Sequence, residues 1–319
     1  MGDSSEHIRL IKYAVLQTTI VPSILCDLLV FAYVIRYWRR EIVNAPQNHA
    51  ILCLLIVSFI QKTTDLPMSL YLLRWGITFR QTNTFCVIWG WVDYSLLVIS
   101  LHLISWCSIE RHLFVFHGLM MKKRSCLILF HYIPMILCLL YAPLFYLSVI
   151  IFPSMCTNVW DYTYMFCGGG CYGSVPFWGT FDWLFNYALW LFIILFANLL
   201  LFYRFTRQRL RHQQPIQSRH KIRMIIQLGF ISVLYLVFMS PEIILGVIEA
   251  LWSPTFGIDV EVNYLYYICN FINQFLPFVI VSSLPGIRKE LNLWFQRIRR
   301  RNDVAIRVHP LMTGTVLHR

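Results

Sequence analysis

Seven long apolar stretches separated by short polar segments dominate the chain. They lie at about 13–35, 50–73, 85–109, 126–151, 177–203, 224–251 and 262–284. Each exceeds the ~20 residues that a helix needs to cross ~30 Å of hydrocarbon. Because lipid offers the backbone no hydrogen-bond partners, runs this long and continuously apolar predict helices rather than the alternating strands of a barrel. The pattern predicts an all-α membrane protein, a bundle of seven transmembrane helices.

Composition excludes a soluble globular protein, because hydrophobic residues make up 58% of the chain and charged residues 13%. Of the 27 Lys and Arg, 22 lie in segments that are cytoplasmic if the amino terminus is outside. Since positive charge concentrates on the cytoplasmic side, we expect the amino terminus outside and the carboxyl terminus inside, at the plasma membrane. The net charge of +12 then reflects topology and attraction to anionic inner-leaflet lipid, and nucleic-acid binding is not expected.

The segments outside the spans are short. We expect an extracellular amino terminus over 1–12, a seven-helix domain over 13–284, and a cytoplasmic tail over 285–319. The tail begins with apolar residues at helical spacing opposite basic ones, which predicts a short amphipathic helix on the inner leaflet. With so little chain outside the membrane, any ligand must enter the bundle or touch its outer loops.

The longest outer connection, 152–176, carries three cysteines around a glycine run. They are Cys156, Cys167 and Cys171, and Cys86 at the outer end of the third span supplies a fourth. An oxidising exterior favours two disulfides, and four cysteines allow three pairings that the sequence leaves open. The connection contains no histidine, so neither a metal site nor a cofactor is expected.

The inner end of the third span carries the triplet Glu110-Arg111-His112, 25 residues after Cys86 when counted to Arg111. Prolines fall inside the second, sixth and seventh spans, where each removes a backbone donor and bends a helix. This combination resembles the rhodopsin-like (class A) family of G-protein-coupled receptors along nearly the whole chain. The resemblance implies that Cys86 pairs with Cys171 or Cys167, and that a heterotrimeric G protein is the inner partner. The coupling and switch residues that it implies are Glu110, Arg111, His112, Tyr203, Lys221, Pro241 and Pro277.

The chain also departs from the family. Phe238-Met239-Ser240-Pro241 replaces Cys-Trp-x-Pro in the sixth span, and Leu276-Pro277 replaces Asn-Pro in the seventh. The chain therefore looks like a divergent member, similar to the orphan peptide and chemosensory receptors of invertebrates. Four inward positions of the family define a rearranged polar centre, which either holds water or a cation or contains a neutral aspartate satisfied by its neighbours. These positions are Asp27, Ser58, Ser100 and Asn273.

Acids in the outer half of the bundle are the candidate ligand-binding residues. Asp93 lies five helical turns before Arg111, and Glu242 follows the proline of the sixth span. Buried acids are costly unless paired or hydrated, so either a cationic ligand or a structural partner is expected. Asn270 stands where the amine receptors of the family have tyrosine, and the fifth span has no serine. A basic peptide or another cation is therefore favoured over a monoamine, and an opsin is excluded because the seventh span has no lysine.

Two classes of function follow. The first is a receptor that transmits binding of an extracellular ligand to a G protein through Arg111. The alternative is a channel or carrier in which the intramembrane acids line a pathway, although no internal repeat supports it. An enzyme is not expected, because no nucleophile or metalloprotease motif is present. Lys221 replaces an acid on the sixth helix, so only Glu110 can restrain Arg111, and we expect ligand-free activity.

Overall fold

The computed structural model describes residues 2–212, 218–253 and 256–283, together with Gly286, Ile287 and Gln296. Seven helices in this part are long and apolar enough to cross a membrane, which confirms the predicted seven-helix bundle. We number them α1 to α7. They span Gly2–Arg36, His49–Trp75, Asn83–Phe116, Arg124–Ile151, Pro176–Arg207, Ser218–Leu251 and Ile258–Ser282.

Helix α3 lies at the centre of the bundle. It packs against α2, α4, α5 and α6, while α1 contacts α2 and α7, and α6 contacts both α5 and α7. Accordingly, among the seven helices α3 has the largest buried share of its apolar 18-residue stretch, 61%. Large apolar side chains remain exposed along the outer helices, as expected where lipid rather than water surrounds the fold.

Local sequence explains where the helices begin, end and bend. Helix α2 ends at Trp75. The next residue, Gly76, has a left-handed φ of 77° and donates its N–H to the carbonyl of Leu72. Helix α3 begins after Thr82, whose hydroxyl accepts from the N–H of Phe85 at 3.4 Å. The three prolines lie inside α2, α6 and α7 as predicted.

The beginning of the chain differs from the sequence-based prediction, and the prediction for its end is not tested. Helix α1 begins at Gly2, so helical structure extends well into the polar segment 1–12. The amphipathic helix predicted at the start of 285–319 falls outside the described residues, apart from three isolated positions.

Two disulfides fold the connection between α4 and α5 back over one end of the bundle, which we call the disulfide end. Cys86 at the start of α3 pairs with Cys167, and Cys156 pairs with Cys171. Of the two partners predicted for Cys86, the structure has Cys167. Gly168 and Gly169 follow with φ of 84° and 86°, a region that residues with a Cβ rarely adopt. The glycine run thus lets the loop turn sharply across the bundle.

Loop length predicts that the two disulfides differ in their contribution to stability. The Cys86–Cys167 bridge closes 81 residues and the Cys156–Cys171 bridge closes 15. In a chain-entropy model, closing these loops raises the free energy of unfolding by about 4–5 and about 3 kcal/mol, respectively. We therefore expect the double variant Cys86→Ser/Cys167→Ser to lower the heat-denaturation midpoint and surface expression more than Cys156→Ser/Cys171→Ser does. A free Cys86 thiol in non-reducing peptide maps, or the reverse order of midpoints, would contradict this pairing.

Candidate functional site: an acidic cavity

A cavity of about 330 Å³ opens at the disulfide end, enclosed by α2, α3, α5, α6, α7 and the disulfide-bonded loop. Its volume is at the lower end of the range of small-molecule sites. Six carboxyl groups line it, from four helices and the turn that begins α7. They belong to Asp65, Asp93, Asp182, Glu242, Glu249 and Glu261.

The deepest acids are Asp65 and Asp93, on α2 and α3. Trp89 donates its indole N–H to Asp65 at 2.6 Å, and Gln61 donates its amide to Asp93 at 3.0 Å. The two carboxyl groups also contact each other. Two carboxylates in contact repel one another, so such a pair is stable only with a proton or another cation between them.

Asp182 is held by hydroxyl and amide donors. It accepts from Tyr146 at 2.8 Å, from Tyr172 at 2.9 Å and from Asn186 at 2.6 Å. Burial raises the pKa of the Tyr172 hydroxyl well above its usual value, so Tyr172 stays a donor. Asp182 begins a π-helical segment of α5, Asp182–Ala188. Such segments are rare and concentrate at functional sites.

The remaining three acids lie between α6 and α7. Glu242 accepts from the thiol of Cys269 at 2.6 Å, and Glu249 contacts Glu261 side chain to side chain. Tyr266 donates to Glu261 at 3.1 Å. Glu261 begins another π-helical segment, Glu261–Leu265, one of five in the described residues. Two of the six acids are therefore placed by unusual helical turns.

Positive charge is missing from the cavity wall. Within the described part of the chain, no lysine, arginine or histidine lines it. Lys12 is a nearby basic residue, but it bonds the carbonyl of Asn263 and lies 4.4 Å from the centre of the Tyr264 ring. The cavity therefore offers acceptors in excess, and the complementary ligand is a cation with several donors.

The predicted ligand residues Asp93, Glu242 and Asn270 all line this one cavity. As members of a ligand site, sequence reasoning missed Asp65, Asp182, Glu249 and Glu261. An available indication was the position of each acid near the disulfide end of its apolar span, but the π-helical turns that direct Asp182 and Glu261 inward have no sequence pattern of their own.

The four residues of the predicted polar centre do not form one cluster of contacts with each other. Asp27 is fully buried and forms an ion pair with Lys62, which also donates to Ser23 at 3.1 Å. Ser58 donates to the carbonyl of Asn273 at 3.2 Å, whereas Ser100 bonds the carbonyl of Leu97 in its own helix. Neither of the two interpretations of the polar centre included Lys62, which is the counter-ion of Asp27.

At the opposite end, which we call the Arg111 end, Arg111 is 1% exposed and donates to the carbonyl of Gln47 at 2.8 Å. Glu110 instead forms an ion pair with His131 of α4, and His131 bonds His49 at 3.0 Å. The expectation that only Glu110 restrains Arg111 is therefore wrong. Consecutive residues point about 100° apart around a helix, so Glu110 and Arg111 find partners on different elements.

The other predicted coupling residues are spread around this end. His112 bonds the carbonyl of Ala197 at 2.9 Å, and Tyr203 is 59% exposed on the outer surface of α5. Lys221 belongs to α6, but its side chain lies outside the described residues. Pro241 lies inside α6 and Pro277 inside α7. Pro241 directly precedes the cavity acid Glu242 in sequence.

No family model matches this chain, and a comparison with curated proteins finds no match either. The geometry of the cavity and of the Arg111 end is therefore the basis for assigning a function.

The Asp27–Lys62 pair predicts a reversal by double substitution. Either Asp27→Asn or Lys62→Met alone leaves one buried charge unpaired, at a cost of about 3–5 kcal/mol. Replacing both residues, as Asp27→Leu/Lys62→Met, removes both charges, and we expect the heat-denaturation midpoint to return close to that of the parent. A double variant no more stable than the single ones would mean that the ion pair is not the relevant contact.

The Glu110–His131 pair predicts a similar loss at the other end. His131→Gln removes the ring that contacts the buried carboxyl group of Glu110, so we expect a clearly lower denaturation midpoint. His117→Gln is the matched control, because His117 is exposed at the same end. Equal midpoints for the two variants would refute a stabilising role of this pair, and Glu110→Gln in the His131→Gln background measures the coupling directly.

Proposed function

We propose that this chain is a plasma-membrane receptor of the rhodopsin-like type. In this proposal the disulfide end faces outside, a cationic ligand enters the acidic cavity, and the Arg111 end activates a heterotrimeric G protein. The observation that carries the proposal is the gathering of six carboxyl groups in one cavity whose described lining contains no basic residue. An electrostatic imbalance of this kind at a buried site is costly unless a ligand or protons neutralise it.

A route for transmission from the cavity follows from α6. Glu242 directly follows Pro241, at the point where α6 lacks a backbone hydrogen bond and bends most easily. Glu242 also bonds Cys269, so it links α6 to α7. A cation that competes with Cys269 for this carboxylate would change the contact between the two helices, and a moving sixth helix is the step that the family resemblance implies.

Helix α3 supplies the second connection. Asp93 and Arg111 lie 18 residues apart on this one helix, which corresponds to about 27 Å. Arg111 is held at its end by the Gln47 carbonyl, a neutral acceptor. A hydrogen bond from a charged donor contributes about 1.5–3 kcal/mol, so a rearrangement that supplies another acceptor is enough to release the guanidinium.

The open channel of the alternative is disfavoured by the packing between the two ends. Fully buried apolar side chains on α3, α6 and α7 fill the space between the cavity and Arg111. They include Leu101, Ile104, Ile231, Tyr235 and Leu276. Each is at most 1% exposed. In the conformation described, this layer separates the acids from the Arg111 end, as a receptor requires and an open pathway does not.

The decisive experiment expresses the chain in a heterologous cell and applies basic, neutral and acidic peptides and amines from outside. G-protein dissociation and membrane current are recorded in the same cells. We expect basic ligands alone to activate the G protein, without ligand-dependent current. Asp93→Asn should then raise the half-maximal concentration by about 30-fold or more, since losing one partner of a buried charge pair costs about 2–5 kcal/mol.

The matched control is Asp259→Asn, which removes one carboxylate from an exposed position beside the cavity. We expect this variant to respond as the parent does, at equal surface expression. Activation by an anionic agonist, or equal responses of the two variants, would refute a cation site at Asp93. Ligand-dependent current without G-protein dissociation would favour the channel.

A further inference from the structure

The acids between α6 and α7 lie at two levels of the cavity. On α6, Glu242 and Glu249 are seven residues apart, close to two full helical turns, so they share one face. On the facing segment, Cys269 contacts Glu242 and Glu261 contacts Glu249. The two contacts form rungs between antiparallel elements, and a rise of 1.5 Å per residue separates the rungs by about 10–12 Å.

The level of Glu242, which we call the lower level, contains a buried hydrogen-bond acceptor without a partner among the described residues. Gln61 is 6% exposed and lines the cavity beside Asp93. Its amide nitrogen donates to Asp93, but within the described residues its carbonyl oxygen accepts no hydrogen bond. A buried carbonyl oxygen without a donor costs about 1–3 kcal/mol, so its presence at a cavity wall indicates that a ligand supplies the donor.

The donor that fits this level is a cation. Asp65 and Asp93 contact each other, Gln61 bonds Asp93, and Glu242 lines the same cavity. An ammonium carries three donors and a guanidinium five, so either one can donate to the carbonyl and to the carboxyl pair while its charge offsets one carboxylate.

The level of Glu249, which we call the upper level, also has two carboxyl groups in contact. Glu249 and Glu261 contact each other, and both line the cavity. Glu261 is 4% exposed and Glu249 is half-buried, so water only partly screens repulsion between two ionised carboxylates here. A second cation at this level would remove that repulsion.

We infer that the cavity binds a linear dication whose two cationic groups lie about 10–12 Å apart, one at each level. This inference rests on the proposed cation site and adds the length and valence of its ligand. Three covalent bonds of an extended chain span about 3.3–3.6 Å, so nine bonds, as in a diamine with eight methylenes, reach the required separation. A polyamine and a peptide bearing two basic groups share this chemistry.

The test measures binding to the purified full chain in lipid nanodiscs, without any G protein. The probes are α,ω-diaminoalkanes with four to twelve methylenes, octylamine, and the blocked tripeptide Lys-Gly-Lys, each corrected with empty nanodiscs. We expect affinity to peak near eight methylenes, at least tenfold above both 1,4-diaminobutane and octylamine. Tighter binding of the tripeptide would also support the inference and would assign the ligand to a peptide.

Variants locate the two contacts. Glu249→Gln/Glu261→Gln should reduce 1,8-diaminooctane to the affinity of octylamine, and Asp259→Asn should leave the length profile unchanged. Affinity that rises steadily with chain length, or equal affinity for the diamine and octylamine, would overturn the inference. The profile of the unmodified chain decides this even if a variant fails to fold. Since binding is measured alone, a flat profile leaves G-protein activation open, and a sharp profile without activation refutes only the receptor function.

Discussion

The structure depends on how a bundle surrounded by lipid accommodates charge. A charged side chain in such an interior must meet an opposite charge or several hydrogen-bond partners, because neither lipid nor packed side chains solvate it. Two sites follow this rule within the protein itself. Asp27 meets Lys62, and Glu110 meets His131. In the cavity at the disulfide end only Asp182 has three hydrogen-bond donors, and the described lining offers the other five carboxyl groups no basic residue, which points to function.

Helix α3 connects these sites. Its first turn is tied to the disulfide-bonded loop through Cys86, its middle carries Asp93, and its last turns carry Glu110 and Arg111. Because α3 packs against four other helices, a shift at the cavity is felt by most of the bundle. Packed interiors have discrete arrangements rather than continuous ones, so small changes at one end can be converted into a switch at the other.

Much of this architecture is available from the sequence. Seven apolar runs of spanning length define the helices, and the cysteine at the start of the third run identifies one partner of the loop disulfide. Asp93 and Glu242 were predicted as ligand residues because acids in a membrane interior need a partner, and Asn270 because of the family position that it occupies. The choice between Cys167 and Cys171 required the path of the loop, which depends on the backbone of Gly168 and Gly169.

Other contacts could not be predicted because they depend on helix rotation. Hydropathy gives the length of a span but not which face meets which neighbour. Arg111 therefore has the Gln47 carbonyl as its acceptor, although Glu110 is adjacent in sequence. Lys62 was visible as a lone cation in the second span, yet its pairing with Asp27 requires the register of α1 against α2. The π-helical turns at Asp182 and Glu261 are set by packing in the same way.

The central claim is that an acidic cavity opens to the outside of the cell, and reaction of a single introduced cysteine tests it most directly. Val262 lines the cavity next to Glu261, and Val159 in the loop is 85% exposed. Intact cells expressing Val262→Cys or Val159→Cys are treated with membrane-impermeant methanethiosulfonates, one cationic and one anionic, against the parent chain as background. The account predicts that the cationic-to-anionic rate ratio is at least tenfold higher at Val262→Cys than at Val159→Cys. Equal ratios at the two positions, or no labelling of either from outside, would contradict it.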